Sequence, residues 1–280
     1  MDDVHYFGAD GCALFAVVVS GSDEHTVETR EAVVVLLHGG GPDHQSLVPL
    51  ARRIAGVHPV VLPDVRGYGK SICRNRSSHT WNQYAQDMIA LLDQLGVRRA
   101  ILGGAGLGAT ICLRTAVAYP ERVQALLLIS IEDIEDDHAK QAEIEFLDAF
   151  AERVLIHGIE AAWEPILPSL APIIGTMVRD AIPRSDPASI AAAAAIGHGR
   201  SFRDVNELLV INVPTLIFPG IDARHPTALA EYLARALPNG HLVTSGLTNS
   251  VRTTEDFAEA LSPAIQVFLR DLAREGGCWS

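Results

Sequence analysis

The chain has 280 residues, 48% hydrophobic and 20% charged, which suits one large folded domain, or a core with an inserted cap, and argues against disorder. Against 34 Asp and Glu stand 22 Lys and Arg, a formal charge of −12 that repels phosphate backbones and anionic headgroups and disfavours nucleic acid or membrane surfaces as partners. The cysteines Cys12, Cys73, Cys112 and Cys278 lie far apart with no CxxC pair, and no basic-then-apolar leader or run of ~20 apolar residues is visible, so free thiols in a cytoplasmic protein are expected.

In chain order, Cys12 to Val19 reads as an early antiparallel strand, and the unbroken apolar run Ala32 to Leu37 as a strand covered on both faces. The run ends in His38-Gly39-Gly40-Gly41-Pro42, whose glycines permit tight backbone geometry. Leu47, Leu50 and Ile54 predict a helix over 46–55, and Pro59 to Leu62 a strand leading into Pro63-Asp64-Val65-Arg66-Gly67-Tyr68-Gly69-Lys70-Ser71. Trp81 to Leu95 is amphipathic and closed by Gly96. Ala100 to Leu102 reads as a strand, Gly103 to Gly108 as a turn, Ala109 to Tyr119 as a helix stopped by Pro120, and Ala125 to Ile129 as another buried strand. This alternation predicts an α/β architecture, a mostly parallel sheet with helices on both faces. After Ser130 it breaks. From Glu132 to Val210 the chain reads as helices separated by prolines, a helical cap (132–210) inserted into a core made of 1–131 and 211–280. The core resumes with a strand at Thr215 to Phe218, the loop Pro219 to Pro226, a helix at Ala228 to Leu237, a strand near His241 to Thr244 and a helix from Thr254 to Leu272.

Three segments in this order resemble the α/β-hydrolase superfamily, and the likeness covers nearly the whole chain outside the cap. LLHGGGP at Leu36 to Pro42 resembles its oxyanion loop, LPDVRGYGKS at Leu62 to Ser71 its mainly structural Asp-x-Arg-Gly-x-Gly-x-Ser turn, and GGAGLGA at Gly103 to Ala109 its nucleophile elbow. The elbow needs small residues beside the nucleophile, and Gly104 and Gly108 supply them. At the nucleophile position stands Gly106, which has no side chain and can form no acyl-enzyme. The resemblance makes Asp222, in Gly220-Ile221-Asp222-Ala223-Arg224-His225-Pro226, the acid. It places the histidine after the last strand, where Asn249 stands, and His241 reads as a surface or packing residue. A triad lacking two members implies a function other than ordinary ester hydrolysis.

What survives is a pair of backbone donors, Gly40 and Leu107, able to stabilise an enolate as readily as a tetrahedral oxyanion. Candidate bases are His38, Asp222 and the acidic turn at Glu132 and Asp133, or a carboxylate of the substrate itself. A hydrolase-like core with an intact glycine-rich oxyanion loop and an erased triad resembles the bottromycin epimerase group, which epimerises an aspartyl residue in a modified peptide. That resemblance implies a peptide between sheet and cap, near His38, Gly39, Gly40, Gly41, Gly106 and Leu107, with Trp163, Ile166 and Leu170 of the cap holding apolar side chains and Gly106 making room. Asp222 and Asn249 complete the expected substrate-binding set. No metal, Walker or dinucleotide motif is present, and no cofactor is expected. A small-molecule binding protein, a lyase or cyclase, and a hydrolase with activated water remain alternatives.

Overall fold

The computed structural model describes residues 1–21, 33–56, 58–132, 134, 137–244 and 246–276. Ala32, Asp133 and Cys278, named above, lie outside the described residues.

The strands are β1 (Asp2–Phe7), β2 (Ala13–Val19), β3 (Val34–Leu37), β4 (Val60–Pro63), β5 (Ala100–Ala105), β6 (Val123–Ile129), β7 (Thr215–Phe218) and β8 (Gly240–Leu242). They form one sheet in the order β1-β2-β4-β3-β5-β6-β7-β8. Pairing is antiparallel for β1 with β2 and β2 with β4, and parallel elsewhere. The helices are α1 (Val48–Ile54), α2 (Trp81–Gln94), α3 (Leu107–Ala118), α4 (Asp137–His157), α5 (Ile159–Trp163), α6 (Pro172–Ala181), α7 (Pro187–Ala193), α8 (Thr227–Ala236) and α9 (Thr254–Gly276). β1 has no counterpart among the expected elements. It is an edge strand with only Tyr6 buried, so it lacks the apolar pattern that marks the others.

The continuous apolar run at β3 follows from its position. Val35 and Leu37 face one core with Leu91, Leu92, Ile111 and Leu233, while Val34 and Leu36 face a second with Leu50, Ile54, Leu261 and Ile265. Helices therefore cover both faces, as the α/β reading requires. The Asp-x-Arg-Gly turn is structural: Arg66 is buried, bonding Asp87 through Nε (2.8 Å) and Nη2 (2.7 Å) and reaching Asp10 through Nη1 (2.8 Å).

Between β6 and β7 the described chain is helical, from α4 through α7, and part of it builds a core of its own with Val154, Ile159 and Ile190. The expected boundary at residue 210 does not coincide with the packing. Phe202, Val205 and Leu208 are buried in the first sheet core, because the chain after α7 returns to α3 before it enters β7. No helix of the described residues is long and apolar enough to cross a membrane.

Candidate active site

β5 passes into α3 through Gly106, whose φ of +52° and ψ of −121° form the tight apex expected of the elbow. A Cβ on Gly108 would lie 2.6 Å from the Leu37 carbonyl oxygen and 2.7 Å from that of His38, and Gly104 abuts the Gly108 backbone, so both flanking positions need glycine. Leu107 opens α3, which leaves its N–H without an intrahelical acceptor. Leu107 lines a cavity together with Gly39, Gly40 and Gly106, so the two expected backbone donors border one space.

A carboxylate enters this space from β6. Ser130, just past the strand, has φ +51°, in a region that non-glycine residues rarely adopt, and its N–H bonds the Phe218 carbonyl at 3.0 Å. The bend swings Glu132 inward, and Thr110 Oγ1 holds the Glu132 carbonyl at 2.7 Å. Glu132 Oε2 accepts from Arg224 Nε (2.7 Å) and lies 3.3 Å from His225 Nε2. Glu132 Oε1 is 3.0 Å from the point a Cβ on Gly106 would occupy, and His225 Nε2 is 3.3 Å from the same point. Behind His225, Nδ1 donates to Asp222 Oδ1 at 2.8 Å. The other oxygen of Asp222 accepts from the Ala171 N–H at the start of α6 (2.9 Å). Arg224 also reaches α4, with Nη2 and Nη1 on the Glu143 carboxylate at 2.6 and 3.2 Å.

Burial opposes the charged form of each of these groups, and the neighbouring charges overcome it. His225 is pushed up to about 10 by the Glu132 charge and by hydrogen bonds to Asp222 and Glu132. Glu132 is brought down to about 2 by Arg224 and His225, and Asp222 to about 2 mainly by its hydrogen bond and charge pairing with His225. At neutral pH the site is thus an imidazolium between two carboxylates. The raised histidine contributes stability that is complete below its unfolded value near 6.5 and lost as pH rises through about 10. The depressed acids contribute stability that is lost only as pH falls towards about 2. In a proton NMR titration, the His225 ring resonances should hold their protonated shifts from about pH 5 to 8, the window in which an ordinary histidine titrates. A midpoint near 6.5 would mean that Glu132 does not stand beside the ring.

The cap supplies the apolar wall. Trp163 packs edge-on to Phe150 with ring centroids 5.1 Å apart, and both line the cavity with Ile166, Leu170 and Ile174. Gly41, at φ +101°, is where the cap seats on the core: a Cβ there would lie 2.7 Å from the Trp163 ring and 2.9 Å from Val178. The space open to the centres of water-sized molecules is about 130 Å³, roughly ten times what a single water needs. Among the described residues no group of three His, Cys, Asp or Glu is arranged to hold a metal ion.

The structure therefore brings Gly39, Gly40, Gly106, Leu107, Trp163 and Asp222 to one cavity, and it corrects the sequence expectations at five points. His38 is not at the cavity wall. It is fully buried, accepts from the Val65 N–H at Nε2 (2.9 Å) and bonds the Gly39 carbonyl through Nδ1 (2.8 Å), so it ties two loops together and has no lone pair for a substrate. Gly41 meets Trp163, not the cavity. Asn249 is exposed in a turn, and Leu247 is the residue of that loop that lines the cavity. A histidine is nonetheless present, because His225 reaches the place beside Gly106 from the acid's own loop. The room at Gly106, expected to accommodate a substrate, is taken by Glu132 and His225.

Residues 32–172 match the sequence profile of the alpha/beta hydrolase fold family. The chain belongs to this family. It is 30% identical over 132 residues to a 2-hydroxy-6-oxononadienedioate/2-hydroxy-6-oxononatrienedioate hydrolase from a Pseudomonas species, a stretch covering 42% of this chain and 45% of that protein. The chain thus spans less than half the length of this relative. Among solved structures, a thermophilic esterase from Thermogutta terrifontis superposes with a TM-score of 0.76 at 22% identity, over 97% of this chain and 99% of the esterase. The bottromycin epimerase BotH, in complex with bottromycin A2, superposes with a TM-score of 0.70 at 21% identity, over 97% and 100% of the two chains. At these identities the structural likeness is one of fold.

Proposed function

We propose that this α/β-hydrolase-fold protein is a cofactor-free isomerase that moves a proton at a carbon next to a carbonyl. The observation that carries the reading is the occupancy of the nucleophile's place, where Glu132 Oε1 and His225 Nε2 stand 3.0 and 3.3 Å from the absent Cβ of Gly106. A substrate carbonyl whose oxygen meets the N–H groups of Gly40 and Leu107 would present its α-carbon to Glu132. Loss of the α-proton moves negative charge onto that oxygen, where fixed donors stabilise the enolate more than the ground-state carbonyl. The low proton affinity of Glu132 means that enolate stabilisation, with the charged His225 alongside, must supply most of the driving force.

The narrower form of the proposal is epimerisation of a peptide aspartyl residue of the bottromycin type. Two things support it: BotH shares the fold over 97% of this chain, and Glu132 and His225 lie side by side. Inversion needs a second proton carrier on the opposite face of the carbon, and the substrate's own carboxylate would serve. A second reading, hydrolysis by water held on Glu132, is favoured by the hydrolase names of the sequence relatives.

The test is incubation in D2O with a bottromycin-like aspartyl peptide and, as a compact probe, methyl 2-phenylpropanoate. One deuterium at the α-carbon, mixed configuration and no fragments are expected. Fragments would establish the hydrolase; binding with neither label nor fragments would leave a ligand-binding protein.

A further inference from the structure

Outside the cavity a second groove runs along one face of α4. Ala142, Phe146, Ala149 and Arg153 form its floor, at the four- and three-residue spacings that share a helix face, and Pro165 and Leu170 stand opposite. Cavity and groove adjoin. They share a wall that includes Phe146, Leu170 and Arg224, and the Phe146 ring, beneath the Arg224 guanidinium at 5.5 Å, is 37% exposed. Of the shared wall, Phe146, Phe150, Ile166 and Leu170 are apolar, while Glu132, Glu143 and Arg224 are bound to one another, so an apolar tail passes on the Phe146 and Leu170 side.

At the far end Arg153 is exposed and makes no described hydrogen bond or ion pair. That is notable in a chain with 34 acidic residues to 22 basic ones. From Phe146 to Arg153 the helix advances about 10 Å. The groove between them is apolar and offers a polypeptide backbone few partners, so it suits an alkyl chain better than a peptide.

We propose that the ligand of the cavity carries an apolar tail that leaves it past Phe146, lies along α4 and ends in a carboxylate paired with Arg153. The proposal rests on the isomerase reading in its broader form, in place of the peptide form, and it names the substrate class: a carbonyl compound with a reacting head in the cavity and an anionic end about 10 Å beyond Phe146.

The probes are hexadecanedioic acid monomethyl ester, which has an ester head and a carboxylate tail, and methyl 16-hydroxyhexadecanoate, of equal length with a neutral end. Binding is read from tryptophan fluorescence, since Trp163 lines the cavity. The wild-type protein should prefer the acid by about threefold to fivefold, the worth of one exposed ion pair. Arg153→Ala should remove the preference, Arg153→Lys should keep most of it, and neither should change affinity for methyl 2-phenylpropanoate, which has no tail. A wild type that binds both long probes equally, or a preference that survives Arg153→Ala, would overturn the proposal. If the Arg153-dependent preference is seen but no α-deuterium enters any probe, the isomerase reading falls and the tail site stands.

Discussion

Glu132→Gln should lower α-carbon deuterium exchange by about 10²- to 10⁴-fold, the usual cost of losing a positioned acid–base group. The amide keeps the shape of the side chain and can still accept from Arg224, but its oxygen cannot take a proton from carbon. The same change removes the charge that does most to raise His225, so the ring should begin to titrate below its present value of about 10. Exchange measured on the compact ester, with binding followed separately by fluorescence, keeps loss of chemistry apart from loss of affinity. Undiminished exchange in Glu132→Gln would show that the proton leaves by another route, the substrate carboxylate first among them.

A serine hydrolase should be recoverable from this site, though not by one substitution. The wild-type protein should not react with a serine-directed fluorophosphonate, since Gly106 offers no hydroxyl. Gly106→Ser alone should also stay unlabelled at neutral pH. The new Cβ would sit 3.0 Å from Glu132 Oε1, and the neighbouring His225 is protonated and cannot accept the serine proton. Its backbone, at φ +52° and ψ −121°, adds a cost of about 1–3 kcal/mol. In Gly106→Ser/Glu132→Ala the space opens and His225 is left with Asp222 as its one carboxylate partner, the arrangement in which a histidine serves as general base. Mass spectrometry should then find one phosphonyl adduct, on the introduced serine. A folded, ligand-binding double variant that remains unlabelled would show that His225 is not placed to take the proton.

The parts of the site that follow from backbone geometry were legible in the sequence. A glycine-rich strand-to-helix turn can place only one residue at its apex, so Gly106 was readable, and β7 was located at Thr215 to Phe218 as the structure has it. Asp222 was readable because its loop follows that strand. His225 was not assigned, although it stands three residues after Asp222. The family pattern directs attention to the loop beyond β8, whereas here a tight turn, with the His225 N–H on Asp222 Oδ1 at 3.0 Å, folds the ring back over its own acid. An Asp-x-x-His pair in a short loop was the available signal. Glu132 was one candidate base among several because its orientation depends on Ser130 adopting a left-handed backbone, which composition does not announce. Asn249 and His38 were misplaced for the converse reason. Sequence order put them near the site, but only packing decides which way a loop side chain turns.

Asp222 divides its two oxygens between partners that belong to different parts of the molecule, the imidazole beside Gly106 and the start of a cap helix. One carboxylate is therefore a shared terminal for two equilibria, proton binding at His225 and the seating of α6. Such equilibria are reciprocal: a ligand that loosens α6 from Asp222 shifts the pH at which His225 gives up its proton, and raising the pH towards that value is felt in how firmly the cap is held. In this protein the door and the charge of the chamber behind it are governed by the same two atoms.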